Sequence, residues 1–305
     1  MRVLVTGGAG FLGRWAVKAL LDRGDEVTVL DDLSNGSEAN LAEFPGRVRL
    51  VRGDVTDPAA VVEAFRASPD LCLHLAAVVE IQKSLDDPRR AFAVNLQGTQ
   101  NVLDACREHG TRLALVSTCM VYAASDGAIA ETHPVDPASP YAASKLGAEY
   151  LALAYHRAYG LPVTVLRPFN VYGPYQKANQ EGGVVAVFAR RALEGKPLDI
   201  FGDGEQTRDL MYVEDCVEFL LRAADSPTAV GETLNAGTGR DVTINVLARL
   251  IGGPKSEIRH VRHPHPQSEI HRLRCDPTKA KKLLGWEARV PLEDGVARLK
   301  EWMGK

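Results

Sequence analysis

A tyrosine and a lysine that stand four residues apart could together move a proton. Ser139 and Pro140 are typical of a helix start, because a serine hydroxyl can cap a free backbone N–H and proline is tolerated at the first helical position. Tyr141 and Lys145 would then lie on one face of that helix. An ammonium one turn away favours the phenolate and lowers the tyrosine pKa from its usual ~10. The same spacing also occurs on ordinary amphipathic surface helices, so the surrounding elements must decide.

The N-terminal segment predicts a cofactor site that such a pair would need. Arg2–Thr6 is an apolar strand, Gly7–Gly13 is a glycine-rich loop, and a helix then leads to a second strand at Glu26–Leu30. In this strand–loop–helix order the glycines let the backbone approach a pyrophosphate, and the helix N-terminus stabilises its charge. The segment therefore predicts a dinucleotide-binding unit.

Asp31 ends the second strand, where a carboxylate accepts hydrogen bonds from an adenine-ribose 2′-hydroxyl. A carboxylate there repels a 2′-phosphate, Asp32 adds a second negative charge, and the sequence shows no nearby arginine to offset it. We therefore expect NAD as the cofactor, not NADP. The alternative is a solvated acidic turn ahead of Ser34-Asn35-Gly36.

The α/β alternation continues and predicts a Rossmann-type, doubly wound parallel sheet. The further strands and helices are expected at Val48–Arg52, from Asp57-Pro58, at Leu71–Leu75, from about Pro88 to His109, at Leu113–Val116, from Ser139 to Tyr159 and at Val163–Leu166. Ligands of such sheets bind at the carboxyl ends of the strands. The candidate residues fall at those ends, namely Gly7–Gly13, Asp31, Asp54, Ala76, Thr118 and Asn170.

Beyond Asn170 the chain predicts a smaller, partly interleaved α/β domain that binds the substrate. Its glycine- and proline-punctuated elements are expected at Gly182–Leu193 (helix), Leu198–Phe201 (strand), Val213–Ala223 (helix) and Glu232–Ala236 (strand), with short helices after them. We place residues 1–169 in the cofactor domain and residues 170–305 in the substrate domain. Segments within about 209–240 are expected to return to the first domain.

Composition argues against several classes of partner. The 305 residues carry a formal net charge of −3, which gives no general attraction to nucleic acid or membrane, and no apolar run reaches transmembrane length. Five cysteines without a CxxC pair indicate reduced thiols in a cytoplasmic protein. We expect no metal site, because His260, His263, His265 and His271 lie among prolines without ligand spacing.

Several motifs together resemble one enzyme family across essentially the whole chain. They are TGGAGFLG at Thr6–Gly13, YxxxK at Tyr141 and Lys145, RPFNVYGP at Arg167–Pro174, FGDGEQTRDLMYVED at Phe201–Asp215 and DPTKAKKLLGW at Asp276–Trp286. This set resembles the extended short-chain dehydrogenase/reductases, in their NAD-dependent nucleotide-sugar epimerase/dehydratase branch.

The resemblance implies roles for individual residues. Tyr141 would be the base and acid on a sugar hydroxyl, normally at C4. Lys145 would bind the nicotinamide ribose and lower the tyrosine pKa. Thr118 would hydrogen-bond the same sugar oxygen, and Asn170 would contact the substrate. Glu80 falls where relatives form the wall of the sugar pocket, as a hydrogen-bond acceptor or as an ordinary exposed helix residue.

The resemblance also implies arginines on a nucleotide diphosphate. Arg208 aligns with one of them, and its fork of N–H donors suits phosphate oxygens; the alternative is a surface salt bridge with Asp209. The second arginine of many relatives, in an R-x-G-[DE] turn, has no counterpart here. Either Arg262 or Arg272 could take its place.

The residues after Thr118 bear on the reaction. In the family's 4,6-dehydratases and UDP-glucuronate decarboxylases an acidic residue usually follows this position and serves the additional bond-breaking step. Here Cys119 and Met120 follow. This departure favours epimerisation, since an epimerase only removes and returns a hydride.

The sequence thus predicts a 4-epimerase of nucleotide-diphosphate sugars, UDP-hexoses first, with tightly held NAD. The resemblance also implies a homodimer formed through the helices at Pro88–His109 and Ser139–Tyr159, although the alanines there could equally reflect tight packing within one chain. The alternatives are a 4,6-dehydratase, a 4-keto-sugar reductase and a non-catalytic NAD-binding regulator. Besides the catalytic Tyr141, Lys145 and Thr118, the predicted cofactor contacts are Gly7, Gly10, Phe11, Leu12, Gly13, Asp31, Asp32, Asn35, Asp54, Val55, Leu75, Ala76, Ala77, Asn95 and Pro168. The predicted substrate contacts are Glu80, Thr118, Asn170, Val184, Arg208, Arg262 and Arg272.

Overall fold

A computed structural model describes residues 1–178, 183–254, 256–263 and 266–304. Its strands are β1 Arg2–Thr6, β2 Glu26–Asp31, β3 Val48–Arg52, β4 Leu71–His74, β5 Arg112–Val116, β6 Val163–Pro168, β7 Asn170–Tyr172, β8 Leu198–Phe201, β9 Thr207–Tyr212, β10 Thr233–Ala236, β11 Asp241–Thr243, β12 Ile258–Val261 and β13 Arg272–Leu273. Its α-helices are α1 Phe11–Asp22, α2 Pro58–Phe65, α3 Ile81–Asp86, α4 Pro88–Phe92, α5 Gly98–His109, α6 Pro140–Tyr159, α7 Val184–Leu193, α8 Val213–Asp225, α9 Ile244–Gly252, α10 Thr278–Leu284 and α11 Leu292–Met303.

Seven parallel strands form the central sheet, in the order β10-β6-β5-β4-β1-β2-β3. The chain builds outward from β1 in one direction to β3 and then in the other direction from β4, so the winding reverses between β1 and β4. In such sheets a crevice opens outside the carboxyl ends of the strands at the reversal. The predicted Rossmann-type, doubly wound α/β fold is therefore confirmed.

Both faces of this sheet are buried, which explains the continuous apolar runs of its strands. Val3 and Val5 of β1 belong to the core cluster that α1 and α8 cover, whereas Leu4 belongs to the cluster under α2 and α5. All three side chains are fully buried. A parallel strand covered on both sides needs apolar side chains at successive positions, not at alternate ones.

A smaller layer follows β6. Strands β7, β11 and β13 pair with β9, parallel except for β11, and β8 pairs with β12. Between them, β10 pairs with β6 and so rejoins the central sheet. The division at residues 169 and 170 into two domains stays a prediction.

Three local features differ from the sequence expectation. The helix predicted over Pro88–His109 contains a π-helical turn at Ala93–Gln97, between α4 and α5. Helix α3 was not predicted, because six residues are too few to show a helical period. The helix predicted from Gly182 begins at Val184, with Gly183 as its N-cap residue, and Gly182 itself lies outside the described residues. No helix in the described part of the chain is both long enough and apolar enough to cross a bilayer.

The Ser139 cap at the start of α6 gives a testable stability effect. The Ser139 hydroxyl accepts a hydrogen bond from the backbone N–H of Ala142 at 3.2 Å. We expect Ser139→Ala to lower the free energy of unfolding by about 1 kcal/mol and Ser139→Gly by about a few tenths, because glycine tolerates the N-cap position better than alanine. Equilibrium urea unfolding measures both. Equal losses in the two variants would contradict a capping role.

Candidate active site

A cavity of about 750 Å³ opens at the carboxyl ends of the central strands. Sixteen of the residues predicted to contact the cofactor line it, and they are Gly7, Gly10, Phe11, Leu12, Gly13, Asp31, Asp32, Asn35, Asp54, Val55, Leu75, Ala76, Ala77, Tyr141, Lys145 and Pro168. Three predicted substrate contacts, Glu80, Thr118 and Asn170, line the same cavity. Its volume falls within the roughly 300–1,000 Å³ of ligand sites.

The glycine loop fits a dinucleotide diphosphate. Gly7 has φ +70°, and a Cβ on it would lie 2.8 Å from the backbone nitrogen of Ala76. A Cβ on Gly13 would overlap the carbonyl oxygen of Gly7. Only glycine fits both positions, so the backbone is exposed to the cavity at close range. Helix α1 begins within this stretch, at Phe11, and its free N–H groups and dipole favour an anion there.

Asp31 is held rigidly at the end of β2. Its Oδ2 accepts a hydrogen bond from the N–H of Ala9 at 2.9 Å and its Oδ1 one from the N–H of Leu33 at 2.8 Å. Burial raises the pKa of Asp31, while these two hydrogen bonds lower it. A carboxylate fixed in this way at the cavity wall suits the two hydroxyls of a ribose.

The expectation that no arginine lies near Asp32 was wrong. A guanidinium nitrogen of Arg90, from α4, lies 3.3 Å from Asp32 and 2.7 Å from Asp54. Arg90 is 58 residues from Asp32 in sequence, so local spacing could not reveal the pair. One arginine between two aspartates still leaves this end of the cavity negative once Asp31 is included. The charge balance therefore keeps disfavouring a 2′-phosphate.

Tyr141 and Lys145 are both buried on α6, with exposed fractions of 8% and 4%. Lys145 Nζ donates a hydrogen bond to the carbonyl of Val116, at the end of β5, at 2.6 Å. Thr118 follows two residues later, and its hydroxyl lies beside the Tyr141 phenol, where it lowers the pKa of that phenol. The structure thus brings all three predicted catalytic side chains to one wall of the cavity.

The electrostatics of this group differ from the sequence expectation. Burial raises the pKa of Tyr141 to about 12, against the lowering effect of the Thr118 hydrogen bond. Burial also lowers the pKa of Lys145 to about 8. The predicted lowering of the tyrosine pKa by Lys145 is absent, because desolvation dominates and the ammonium is directed at Val116.

Sequence reasoning missed a buried ion pair behind Lys145. Glu149 lies one turn further along α6 and is bidentate with Arg167 of β6, with Nε–Oε1 and Nε–Oε2 distances of 2.9 and 3.1 Å. Their side chains are 1% and 7% exposed. The Glu149 charge raises the pKa of Lys145 and so opposes the effect of burial. The four-residue spacing from Lys145 to Glu149 is the signal that could have found it.

Asn95 stands behind the cavity and does not line it. Its amide oxygen accepts from the N–H of Val78 at 2.7 Å, and its Nδ2 donates to the Val78 carbonyl at 3.1 Å and to Ser144 Oγ at 2.9 Å. The side chain is 1% exposed. Asn95 therefore ties the loop after β4 to α6 beside Lys145. We infer that it positions α6, and its predicted contact with the cofactor stays a prediction.

Glu80 and Asn170 face the cavity with different hydrogen-bonding states. Glu80 is the N-cap residue of α3, but its side chain makes no capping hydrogen bond and instead lies 2.8 Å from Lys83 Nζ. The Glu80 side chain is 12% exposed, so it is not an ordinary exposed helix residue. Within the described residues, the buried Oδ1 of Asn170 has no hydrogen-bond partner. A buried unpaired acceptor beside a cavity is suited to a ligand hydroxyl.

The predicted arginine contacts and Val184 are not among the residues that line the cavity. Arg208 forms an ion pair with Glu269 and donates to the carbonyl of Ile270 at 3.0 Å, so the alternative of a salt bridge with Asp209 is wrong. Asp209 is fully buried and accepts hydrogen bonds from backbone groups instead.

The other three of these residues have separate surroundings. Arg272 lies 3.2 Å from Asp241 and donates to the carbonyl of Asp126, whereas Arg262 is exposed. Val184 is half-buried against the core of the smaller layer.

Neither a metal nor a reactive thiol is built into the described part of the chain. No group of three or more His, Cys, Asp or Glu side chains there could hold a metal ion, and the candidate His265 lies outside the described residues. All five cysteines are free and buried. Burial raises the pKa of Cys119, beside Thr118, to about 12, so its thiol stays protonated and unreactive near neutral pH.

The chain matches known proteins over nearly its whole length. The profile described as the NAD dependent epimerase/dehydratase family matches residues 3–237. The crystal structure of Pal from Bacillus thuringiensis is 50% identical, with a TM-score of 0.98, and the match covers 100% of this chain and 99% of that one.

Two curated relatives carry different named reactions. A UDP-glucose 4-epimerase of Mycolicibacterium smegmatis is 37% identical over 99% of this chain and 98% of the relative. A dTDP-glucose 4,6-dehydratase of an Actinoplanes species is 38% identical over 99% and 97%.

The Glu149–Arg167 pair predicts how Lys145 titrates. Lys145 is an ammonium below its pKa of about 8 and a neutral amine above it. Glu149→Gln removes a negative charge and leaves the Arg167 charge unbalanced, so the pKa of Lys145 should fall further. The glutamine keeps one acceptor for Arg167. The Lys145 Cε resonance of protein labelled with ¹³C-lysine, assigned with Lys145→Arg, reports the titration.

Asp104→Asn is the matched control for this titration. The Asp104 carboxylate accepts a hydrogen bond at 2.8 Å from the hydroxyl of Tyr155 on α6. Tyr155 lies about three helical turns beyond Lys145. We expect Asp104→Asn to leave the Lys145 titration at its wild-type position. A Glu149→Gln titration that coincides with the wild type would contradict the proposed charge balance.

Proposed function

The chain belongs to the NAD-dependent epimerase/dehydratase family, and we propose that within it the protein is a nucleotide-sugar 4-epimerase, with UDP-hexoses as the first candidate substrates. The family is NAD-dependent, and the glycine loop and Asp31 fit that cofactor. Both an epimerase and a dehydratase match the chain to a similar extent. The choice between them therefore has to come from the residues at the reacting end of the cavity.

The observation that carries the proposal is the pair of residues after Thr118. Elimination of water from a sugar needs a further acid or base beside the tyrosine. Met120 has no proton to give, and the Cys119 thiol, with its pKa raised to about 12 by burial, is a poor acid and a poor base. Both nevertheless line the cavity. The lack of a proton-transfer group at these two positions fits a reaction that only oxidises and re-reduces one carbon.

The catalytic side chains would share the removal of the sugar proton. Tyr141 first loses its own phenol proton to solvent and, as the phenolate, accepts the proton of the C4 hydroxyl, while Thr118, beside Tyr141, holds the same oxygen. Because burial favours the neutral phenol, proton uptake needs a positive charge beside it. Lys145 supplies that charge when its Nζ turns from Val116 toward the phenol. NAD, when bound, takes up a hydride and gives it back.

Inversion at C4 also requires that the sugar turn within the site. The 4-keto sugar must present its other face before the hydride returns. Affinity should therefore come mainly from the nucleotide diphosphate and leave the sugar lightly held. The unpartnered oxygen of Asn170 and the side chain of Glu80 are the groups along the cavity that can hold its hydroxyls.

Glu80 supports a second candidate, a 4,6-dehydratase. It is a carboxylate in the cavity wall, and a relative named as a dTDP-glucose 4,6-dehydratase is 38% identical. Its carboxylate is already paired with the Lys83 ammonium, at 2.8 Å. A dehydratase would have to break this ion pair in order to use Glu80 as its additional acid or base. We rank this function second for that reason.

The proposal predicts a product and a null variant. Purified protein given UDP-, dTDP- and GDP-hexoses without added cofactor should yield the C4 epimer of at least one of them. Tyr141→Phe should lower the turnover by at least about 10²-fold, since it removes the proton acceptor, while NAD stays bound. Product chromatography with NMR, and the absorbance of NAD released on denaturation, measure both effects.

Tyr155→Phe is the control, because Tyr155 lies on the same helix and its hydroxyl bonds to Asp104, away from the cavity. It should keep the wild-type turnover. A 4-keto-6-deoxy product would refute the epimerase and favour the dehydratase. Turnover only of keto sugars with NADH would refute it in favour of a reductase, and bound NAD with no turnover of any sugar would favour a regulator.

We also propose that the protein is a homodimer. Helices α4 and α5 pack beside α6, and the apolar side chains of Phe92 and Tyr150 on this face are 43% and 58% exposed. Exposed aromatic residues on adjacent helices favour an interface between two copies. The free, buried thiols accord with a reducing compartment, and we propose the cytoplasm.

The dimer predicts twice the 33.1 kDa chain mass by light scattering after gel filtration. The double variant Phe92→Glu/Tyr150→Glu should give the chain mass, because charges on both helices would have to be buried without partners. Val246→Glu, at a 51% exposed valine on α9, should stay at the wild-type mass. A wild-type protein that elutes at the chain mass would contradict the proposal.

A further inference from the structure

Arg14 is a buried charge that neither the cofactor cavity nor the catalytic group uses. It lies on α1 directly after the glycine loop, is 2% exposed, and forms an ion pair with Glu43. A guanidinium nitrogen lies 3.1 Å from the Tyr175 hydroxyl, and Cζ lies 4.0 Å from the centre of the Tyr175 ring. The rings of Trp15 and Phe44 complete its surroundings. A buried charge is costly, so its partners should be hard to remove.

Arg14, Glu43 and Tyr175 each contact the other two. The Tyr175 hydroxyl, besides meeting Arg14, donates to Glu43 Oε1. That hydrogen bond and the Arg14 charge lower the pKa of Glu43, which keeps it ionised near neutral pH. The contacts of Glu43 with Arg14 and Tyr175 are therefore charge-assisted, on a carboxylate that is 54% exposed and an arginine side chain that is 3% exposed.

The cluster joins three separate parts of the chain. Arg14 belongs to α1, Glu43 to the connection between β2 and β3, and Tyr175 to the segment of residues 173–178 that follows β7. Tyr175 has φ +73°, which is uncommon for a residue with a side chain. Such a backbone persists only where its surroundings hold it. Trp302 of α11 supplies part of that hold, with its ring centre 4.9 Å from that of Tyr175.

The 173–178 segment connects two walls of the cavity. Gln176 lines the cavity on the β7 side, and its Nε2 donates to the Val171 carbonyl at 3.0 Å. On the other side Lys177 Nζ donates to Asn35 Oδ1 at 2.9 Å, and Asn35 lines the cavity beyond Asp31. The carbonyl of Pro174 is held from α1 as well, by the Trp15 indole N–H. The segment therefore bridges the smaller layer and the loop after β2.

We propose that Arg14, Glu43 and Tyr175 form a clasp that fixes the 173–178 segment over the dinucleotide cavity and slows the release of the cofactor. For the dinucleotide to leave between these walls, the segment has to lift, and lifting it breaks the contacts of Tyr175 with both charged partners. The clasp affects the release of the cofactor and not the binding of the sugar. The proposal therefore applies whichever reaction of the family the protein catalyses, and it goes beyond the proposed epimerase activity.

The test is the dissociation rate of the dinucleotide from the intact protein. The holoenzyme is loaded with NADH and mixed rapidly with excess NAD, and the loss of bound-NADH fluorescence is followed. Tyr175→Phe removes one hydroxyl and keeps the ring stacked on Arg14. Glu43→Gln removes the negative charge. Each should raise the dissociation rate by about tenfold or more, as expected for the loss of hydrogen bonds to charged groups.

Hydrogen exchange gives a second measurement that does not depend on catalysis. The backbone amides of Gly173 and of residues 175–178 should exchange faster in Tyr175→Phe and Glu43→Gln than in the wild type. Asp22→Asn is the matched control, since it breaks the exposed Lys18–Asp22 ion pair on the same helix α1. It should leave both the NADH dissociation rate and the exchange unchanged.

Three outcomes would overturn the clasp. They are wild-type NADH dissociation in both clasp variants, faster exchange of the segment without faster dissociation, and an equal acceleration by Asp22→Asn. Because Tyr175→Phe changes a single oxygen, it keeps the test decisive if Glu43→Gln proves too unstable to purify. Failure of the sugar assays would leave the prediction for NADH release intact, so the two proposals fail separately.

Discussion

The ammonium of Lys145 lies in the protein interior, where it is hydrogen-bonded to the Val116 carbonyl and where burial lowers its pKa to about 8. A charge in such a place is stable only if the surroundings repay its lost hydration. Glu149, one turn away and itself paired with Arg167, provides that compensation. Because Tyr141 shares the helix and is buried too, its phenol stays neutral until the ammonium approaches it. The position of one buried charge thus decides when the tyrosine can take up a proton.

The cavity has two chemically different ends, and they suit different parts of a nucleotide-dependent reaction. At one end, Asp31 and its acidic neighbours, partly balanced by Arg90, favour hydroxyl groups and disfavour a further phosphate. At the other end, Tyr141 and Thr118 stand beside a wall that Met120 and a protonated thiol make inert to proton transfer. A redox step at a single sugar carbon needs an end that binds the ribose hydroxyls of the cofactor. Such a step can proceed beside a wall that transfers no protons. An elimination needs a proton-transfer group that this wall lacks.

Local signals in the sequence were enough for the fold and for most of the cavity wall. The glycine loop, the apolar strands and the residues at the strand ends follow from rules that operate over a few residues, and the sheet brings their ends together. The sequence could not show contacts between residues far apart in the chain, nor the effects of burial on pKa values. Arg90 meets Asp32 across 58 residues, and the pKa of Tyr141 rises because the folded chain excludes water from it. Arg208 turns to Glu269 for the same reason, since only the folded loop brings that carboxylate within reach.

The central claim is that a hydride leaves C4 of the sugar and returns to the same carbon, with no other carbon exchanging its hydrogen. Isotope tracing measures this directly, with a nucleotide hexose that carries deuterium at C4 and is incubated with the protein in ordinary water. The account predicts that the epimeric product retains the deuterium at C4, and that the unlabelled sugar in heavy water gains none at C5 or C6. Solvent deuterium at C5 or C6 of the product would contradict it, because such exchange requires the acid–base step that the wall beside Thr118 lacks.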